Sequence, residues 1–168
     1  MSLNTYFSSI IGESSGAYVG GVIQKGREKW IEVIALNHTI ESPRDVASGQ
    51  ATGKRRHMPI RARMYYDQSL PMWYMSLVRN ESLKTVVIAF FSPNKLGTAG
   101  GTGVETLTYE VKLTNAFVSK LDFEMLNNKN PDLTRYENMF VSELVYQKIE
   151  GTWKLGNKVW QDDWLAPV

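Results

Sequence analysis

Residues 107–125 read L-T-Y-E-V-K-L-T-N-A-F-V-S-K-L-D-F-E-M, and the periodicity of this stretch decides the class of fold. Odd positions carry Leu107, Tyr109, Val111 and Leu113, then Phe117, Leu121, Phe123 and Met125. From Thr106 the even positions carry Thr108, Glu110, Lys112 and Thr114. A period of two puts one set of side chains on each face of a strand, so the stretch reads as a half-buried β-strand. At about 3.3 Å per residue it would reach about 60 Å if straight, far beyond an ordinary strand. It must bend or break, and Asn115 and Ser119 interrupt the apolar face where it would do so. A curled strand of this kind suits a small barrel.

The same period recurs outward along the chain. Met58, Ile60, Ala62, Met64 and Tyr66 form an apolar face opposed by Arg61 and Arg63, and Trp30 to Ile40 reads as another core strand. By contrast, 86–91 (V-V-I-A-F-F) is apolar on both faces. In an antiparallel protein such a strand needs a second cover, from a helix or another subunit. The segment from Tyr136 to Ile149 is mixed in the same way, with Phe140, Leu144 and Tyr146 set against Met139, Val141 and Val145. That is more apolar strand surface than one small barrel hides, so an oligomer is expected. One helix is expected from Leu70 to Arg79, with Ser69 as its cap, Pro71 in the first turn and a stripe of Leu70, Trp73, Tyr74 and Leu77. Gly97, Gly100, Gly101 and Gly103 predict a hairpin connection, and Pro131 marks a turn. No internal repeat, linker or second domain is visible, so 1–168 is read as a single domain.

Between the strands that end at Ile40 and begin at Met58 lies S-P-R-D-V-A-S-G-Q-A-T-G-K-R-R-H, residues 42–57. It is too polar and too rich in small residues for a strand or a helix. Ser42 and Pro43 open a turn, Gly49 and Gly53 free the backbone, and Lys54, Arg55 and Arg56 end it on positive charge. Loops of this length inside a compact domain tend to be functional or disordered. Between Arg44 and Arg63 there are six Lys or Arg residues and one acidic residue, Asp45. Such a block fits either nucleic acid or protein docking, where charge fixes register and rejects wrong partners.

With 168 residues, 43% of them hydrophobic, the chain can build one ordinary core. The absence of cysteine excludes disulfides and thiolate metal sites, and a net charge of +2 gives no global pull toward polyanions. The N-terminus, Met1 to Tyr6, has no basic or apolar region of a secretory signal, and no apolar run approaches the roughly 20 residues that span a bilayer. A cytoplasmic protein without membrane insertion is therefore expected. The patterns at Asn37 to Thr39 and Asn80 to Ser82 match glycosylation acceptors only by chance in that setting.

Catalytic patterns are weak. Gly49 to Lys54 looks like a phosphate loop, but only three residues separate Gly49 from Gly53 and Arg55 follows Lys54. The two histidines, His38 and His57, fit no metal-binding spacing. A Ser-His-Asp set can be assembled on paper from His57, yet no G-x-S-x-G elbow is present. Asp122, Glu124, Asp162 and Asp163 read as solvated strand ends rather than as an acid and base pair. No catalytic residue, cofactor or metal ligand is assigned.

Several blocks carry a resemblance. The run from Asn37 to Arg55, with Ser-Pro-Arg-Asp, Ala-Ser-Gly and Thr-Gly-Lys-Arg in order, resembles the signature loop of the haemolysin-coregulated protein (Hcp) family. The blocks at 112–116 (K-L-T-N-A), 146–150 (Y-Q-K-I-E) and 161–164 (Q-D-D-W) are similar to family strands and the family terminus. Residues 1–25 resemble the family less closely, and Gly151 stands where members often carry an aromatic residue. The resemblance implies an all-β, mainly antiparallel small barrel with one flanking helix and a long extended loop, assembling into a hexameric ring. Such rings stack into the tube of the type VI secretion system, meet its spike and sheath, are propelled out of the cell and carry effectors in the lumen.

On that resemblance, Ser42, Pro43, Arg44, Asp45, Gly49, Gly53, Lys54, Arg55 and Arg56 form the ring-stacking loop, with Arg44 and Asp45 as the specific polar contacts. Asn37 and Thr39 would face the lumen and its cargo. The chain would leave the cytoplasm through this apparatus without a signal peptide. Two other readings stay open: a monomeric barrel that binds nucleic acid or peptide through the basic loop, and an enzyme with a polar pocket.

Overall fold

The protein is described here by a computed structural model covering residues 4–93 and 105–166. Its strands, in chain order, begin with β1 (Thr5–Gly12), the short β2 (Gly16–Ala17), β3 (Ile31–Asn37) and β4 (Ile40–Glu41). After these come β5 (Arg56–His57), β6 (Ile60–Tyr65) and the helix α1 (Leu70–Arg79). The long strands β7 (Leu83–Pro93), β8 (Glu105–Glu124) and β9 (Met139–Trp153) precede the last, β10 (Lys158–Asp163). Antiparallel pairing runs β9–β6–β3–β1–β7–β8, and β8 pairs with β9 again. The sheet thus closes on itself as a six-stranded barrel, which is how an antiparallel sheet removes its exposed edges. The expected architecture is the observed one.

β9 serves two neighbours on one side. Its first half pairs with β6 up to Leu144, and its second half, from Lys148 to Trp153, takes β10 instead. The last strand therefore lies outside the ring of six, beside the start of β6.

The long strand β8 bends without breaking, at the two residues picked out from its sequence, but its inward face differs from the expected one. Val111 and Leu113 point into the core, as the odd set should; beyond Asn115 the buried residues are Ala116 and Val118. Asn115 has a φ of 50°, which rotates the chain and swaps the faces. A register shift between Val118 and Lys120 then swaps them back, so Leu121 packs against the core again. Phe117 consequently faces an outer groove and Phe123 is exposed, stacked on Tyr66 with 4.5 Å between ring centroids.

Helix α1 has the expected limits and closes the barrel with one large side chain. Trp73 is fully buried against Phe7, Tyr18 and Phe140. Two expectations about this helix are corrected. Tyr74 is exposed, and the inward stripe is instead completed by Ser76, whose hydroxyl meets the Tyr18 hydroxyl at 2.5 Å. Ser69 also makes no capping bond, because its backbone is already helical. Its hydroxyl donates to Asp67 and accepts from the Trp73 indole instead.

The doubly apolar strand β7 does have its second cover. Arg27 lies 3.7 Å from the Phe91 ring centroid, flanked by Tyr6 and Trp30, and pairs with Glu105 at 2.5 Å. The chain from Tyr18 to Trp30, where no strand is present, supplies that lid. The glycine-rich connection at 97–103 lies outside the described residues.

Candidate functional site

The segment at 42–57 is a hairpin arm rather than an irregular loop. β4 pairs with β5 at its root through Ile40 opposite His57 and Glu41 opposite Arg56. Farther out, Arg44 bridges Ala51, and the Thr52 amide donates to the Pro43 carbonyl at 3.0 Å. At the tip, the Asp45 carboxylate accepts from the Ser48 amide and hydroxyl, and the Arg44 guanidinium donates to the Gly49 carbonyl at 3.0 Å. Those contacts with Ser48 hold the Asp45 carboxyl below the usual carboxylate range. Gly49 has a φ of +68°, a backbone conformation that side chains rarely adopt, and so permits the turn. Polar composition had argued against any strand here. The arm pairs nonetheless, because hairpin hydrogen bonds need only backbone groups.

Almost every residue of the arm is exposed from Ser42 to Arg56, including Val46 at the tip. Lys54 and Arg56 make no ion pair among the described residues. Arg44 and Asp45 serve to shape the tip. Asn37 and Thr39 are exposed beside the root, and Asn37 edges a shallow hollow with Arg61 and Arg63.

The root of the arm is latched to the far end of the chain. Arg55 makes a two-pronged ion pair with Asp162, both bonds at 2.8 Å, and the His57 Nε2 reaches the same carboxylate at 2.8 Å. The His57 Nδ1 meets the Tyr146 hydroxyl at 3.0 Å, and that hydroxyl meets the His38 Nε2 at 2.6 Å. With neutral rings one assignment satisfies every contact. His57 donates to Asp162, Tyr146 donates to His57, and His38 donates to Tyr146. Trp164 stacks on the His57 ring at 5.6 Å.

Physical causes for the charge state are direct. The Arg55 guanidinium, then His57, holds the Asp162 carboxyl below its ordinary range. Burial, then the nearby His57, pushes the His38 imidazole down. Burial and then Asp162 push the Tyr146 phenol up, so it stays protonated and keeps its donor. Among the described residues no serine hydroxyl bonds to this cluster. Among the described residues, no group of three or more His, Cys, Asp or Glu side chains could hold a metal.

Asp162 was read from sequence as a solvated strand end, and the structure corrects that. Its partners lie more than a hundred residues away, so no local pattern announces them. The one available signal was that the chain's two histidines flank the arm on either side. The basic block is also less free than its composition suggests, because Arg55 is spent on Asp162. Arg61 lies within 4.0 Å of Asp122 and 3.9 Å of Glu143.

Comparison with known proteins agrees with this geometry. Residues 8–153 match the model of the family described as type VI secretion system effector, Hcp. The chain belongs to the Hcp family. It is 29% identical over 150 residues to a major exported protein of Pseudomonas aeruginosa, covering 89% of this chain and 84% of that one. A solved Hcp1 protein of E. coli EAEC 042 superposes with a TM-score of 0.79 at 28% identity, covering 96% of this chain and 99% of the other. A crystal structure of an Hcp protein superposes at 0.85 with 23% identity, covering 98% and 100%. As an Hcp protein, the chain is an exported tube component of type VI secretion, and the monomeric nucleic-acid module is not favoured. The family is one of secreted structural proteins rather than of enzymes.

Proposed function

We propose that this Hcp chain works as one domain that assembles into hexameric rings, and that the rings stack head to tail into the secreted tube. The observation that carries this reading is the latched arm, an exposed hairpin standing off the barrel. A docking element must project in order to reach a partner and be rigid at its root to keep entropy losses small on binding. Ser42, Pro43, Arg44, Asp45, Gly49 and Gly53 build the arm's shape, Lys54 and Arg56 supply charge at its base, and Arg55 holds that base to Asp162. Stacking of unlike faces is heterologous and extends without closing, as a tube requires.

Asn37 and Thr39 face the lumen in this reading, where polar side chains hold effector proteins. The rings assemble in the cytoplasm, engage spike and sheath, and leave through the apparatus. Nothing in the work requires catalysis, a cofactor, nucleic acid or insertion into a membrane. Light scattering together with negative-stain imaging tests the assembly. Six times the 19.1 kDa protomer and a ring with a central hole support it, and a strict monomer at high concentration overturns it.

A further inference from the structure

The hydrogen-bonded line at the root of the arm has room for a fixed number of protons. Tyr146 carries one hydroxyl proton and sits between two imidazole nitrogens, His38 Nε2 at 2.6 Å and His57 Nδ1 at 3.0 Å. His57 keeps a proton on Nε2 to reach the Asp162 carboxylate at 2.8 Å, so its Nδ1 accepts from Tyr146. A proton gained by His57 therefore lands on Nδ1. Both neighbours of the hydroxyl are then donors, and the Tyr146 proton has no acceptor left in the line.

Charge acts in the same direction. The His57 ring is buried, so a cation there is poorly solvated. Facing it are Arg55 of the arm, Tyr146 of β9 and Asp162 of β10, with Lys148 and Asp163 beside Asp162 in one hollow. Arg56 adjoins His57 in β5 and Glu41 lies opposite Arg56, so both project to the other face. The two aspartates balance Arg55 and Lys148, and both Asp162 oxygens already accept from Arg55. Each proton taken up by a ring is thus positive charge in excess. The Trp164 face stacked on His57 favours a cation but offers no acceptor for the added proton. Burial, and then His57, already push the His38 imidazole down. β4 and β5 form a sheet of their own, so the arm can move without breaking a barrel ladder.

We propose that His38 and His57 make the root of the arm a proton-operated latch, closed while both rings are neutral and loosened when they take up protons. In acid the arm is then tied to β10 only by the partly exposed Arg55–Asp162 pair, which salt screens. The barrel keeps its shape while the arm gains freedom.

The chain has two histidines, so their ring resonances in nuclear magnetic resonance report the latch directly. Both should titrate over the interval in which the root loosens. Amide hydrogen exchange at pH 7.5 and pH 5, corrected for the intrinsic rate, should show residues 40–41 and 56–57 opening about ten-fold more readily in acid. Amides of β7 should change little. His38→Gln/His57→Gln offers an amide and a carbonyl in place of the ring nitrogens and does not titrate, so its root should stay protected at pH 5. If that variant is loose at pH 7.5, His38→Gln alone is scored and should shrink the response to acid. A wild-type root equally protected at both pH values, or a response unchanged in the glutamine variants, overturns the proposal. The latch itself does not require stacking, but stacks should thin in acid with ring mass unchanged. Stacks that persist while the root opens overturn the arm's part in stacking and leave the latch standing.

Discussion

His38, His57, Tyr146 and Asp162 act as a unit, so a change at one is felt at the arm. Replacing His57 with alanine leaves the Tyr146 hydroxyl proton without an acceptor and takes from the Asp162 carboxylate one of its donors, leaving Arg55 to hold it alone. That should cost about 1–3 kcal/mol, the usual penalty for orphaning buried or charged hydrogen-bonding groups. The arm should loosen with it, read as faster amide hydrogen exchange across 42–57. The pH dependence has a definite sign. The folded state lowers the His38 pKa from its ordinary 6.5, so its contribution is complete above that value and is lost as pH falls toward the folded one.

Glu81 behaves likewise in a lower window. Burial alone would raise it, but the Ser15 and Ser14 amides, bonded at 2.7 and 2.8 Å, hold it near 2 against an ordinary 4.5. Denaturant unfolding at pH 7, 5 and 3 should therefore show stability falling in two stages. His38→Gln should remove the share of the upper stage that His38 supplies.

At the scale of elements, α1 and the bent strand β8 carry the fold. Trp73→Ala should cost about 3–5 kcal/mol, since it empties the closed end of the barrel and strands Phe7, Tyr18 and Phe140 around a cavity. Thermal unfolding would register it as a large fall in the transition midpoint. Asn115 is the pivot of β8. Asn115→Gly should be close to neutral, because glycine adopts the same left-handed backbone freely. Asn115→Val should lose about 1–3 kcal/mol, because a β-branched residue is strained there. Equal stability for the two variants would show that the swap of faces does not depend on that residue.

The period-two pattern of β8 was plain in its residues and identified a long curled strand. Which of Phe117 and Val118 faces inward was not. The answer turns on two local rotations, and alternation alone cannot register those. The hairpin at 42–57 was hidden for a different reason. Its pairing uses backbone groups, which no side-chain pattern records.

For the whole molecule, exposed hydrophobic side chains at Val78, Trp153, Val159, Trp160 and Leu165 exceed what a lone barrel needs to show water. Burying them between protomers is consistent with a ring. Ring formation should therefore tolerate salt, while stacking through charged faces should weaken as salt screens them. Sedimentation at low and high ionic strength would separate the two. Rings and stacks lost together would contradict it.

The sequence by itself determined the all-β class, the helix at 70–79, the bend in β8 and the resemblance to Hcp. These rest on periodicity, turn chemistry and ordered motifs, which are properties of neighbouring residues. Only the tertiary structure decided that β8 closes on β9 and that Asp162 holds Arg55 and His57. Each of those joins residues far apart in the chain, and the closing barrel alone brings them within reach.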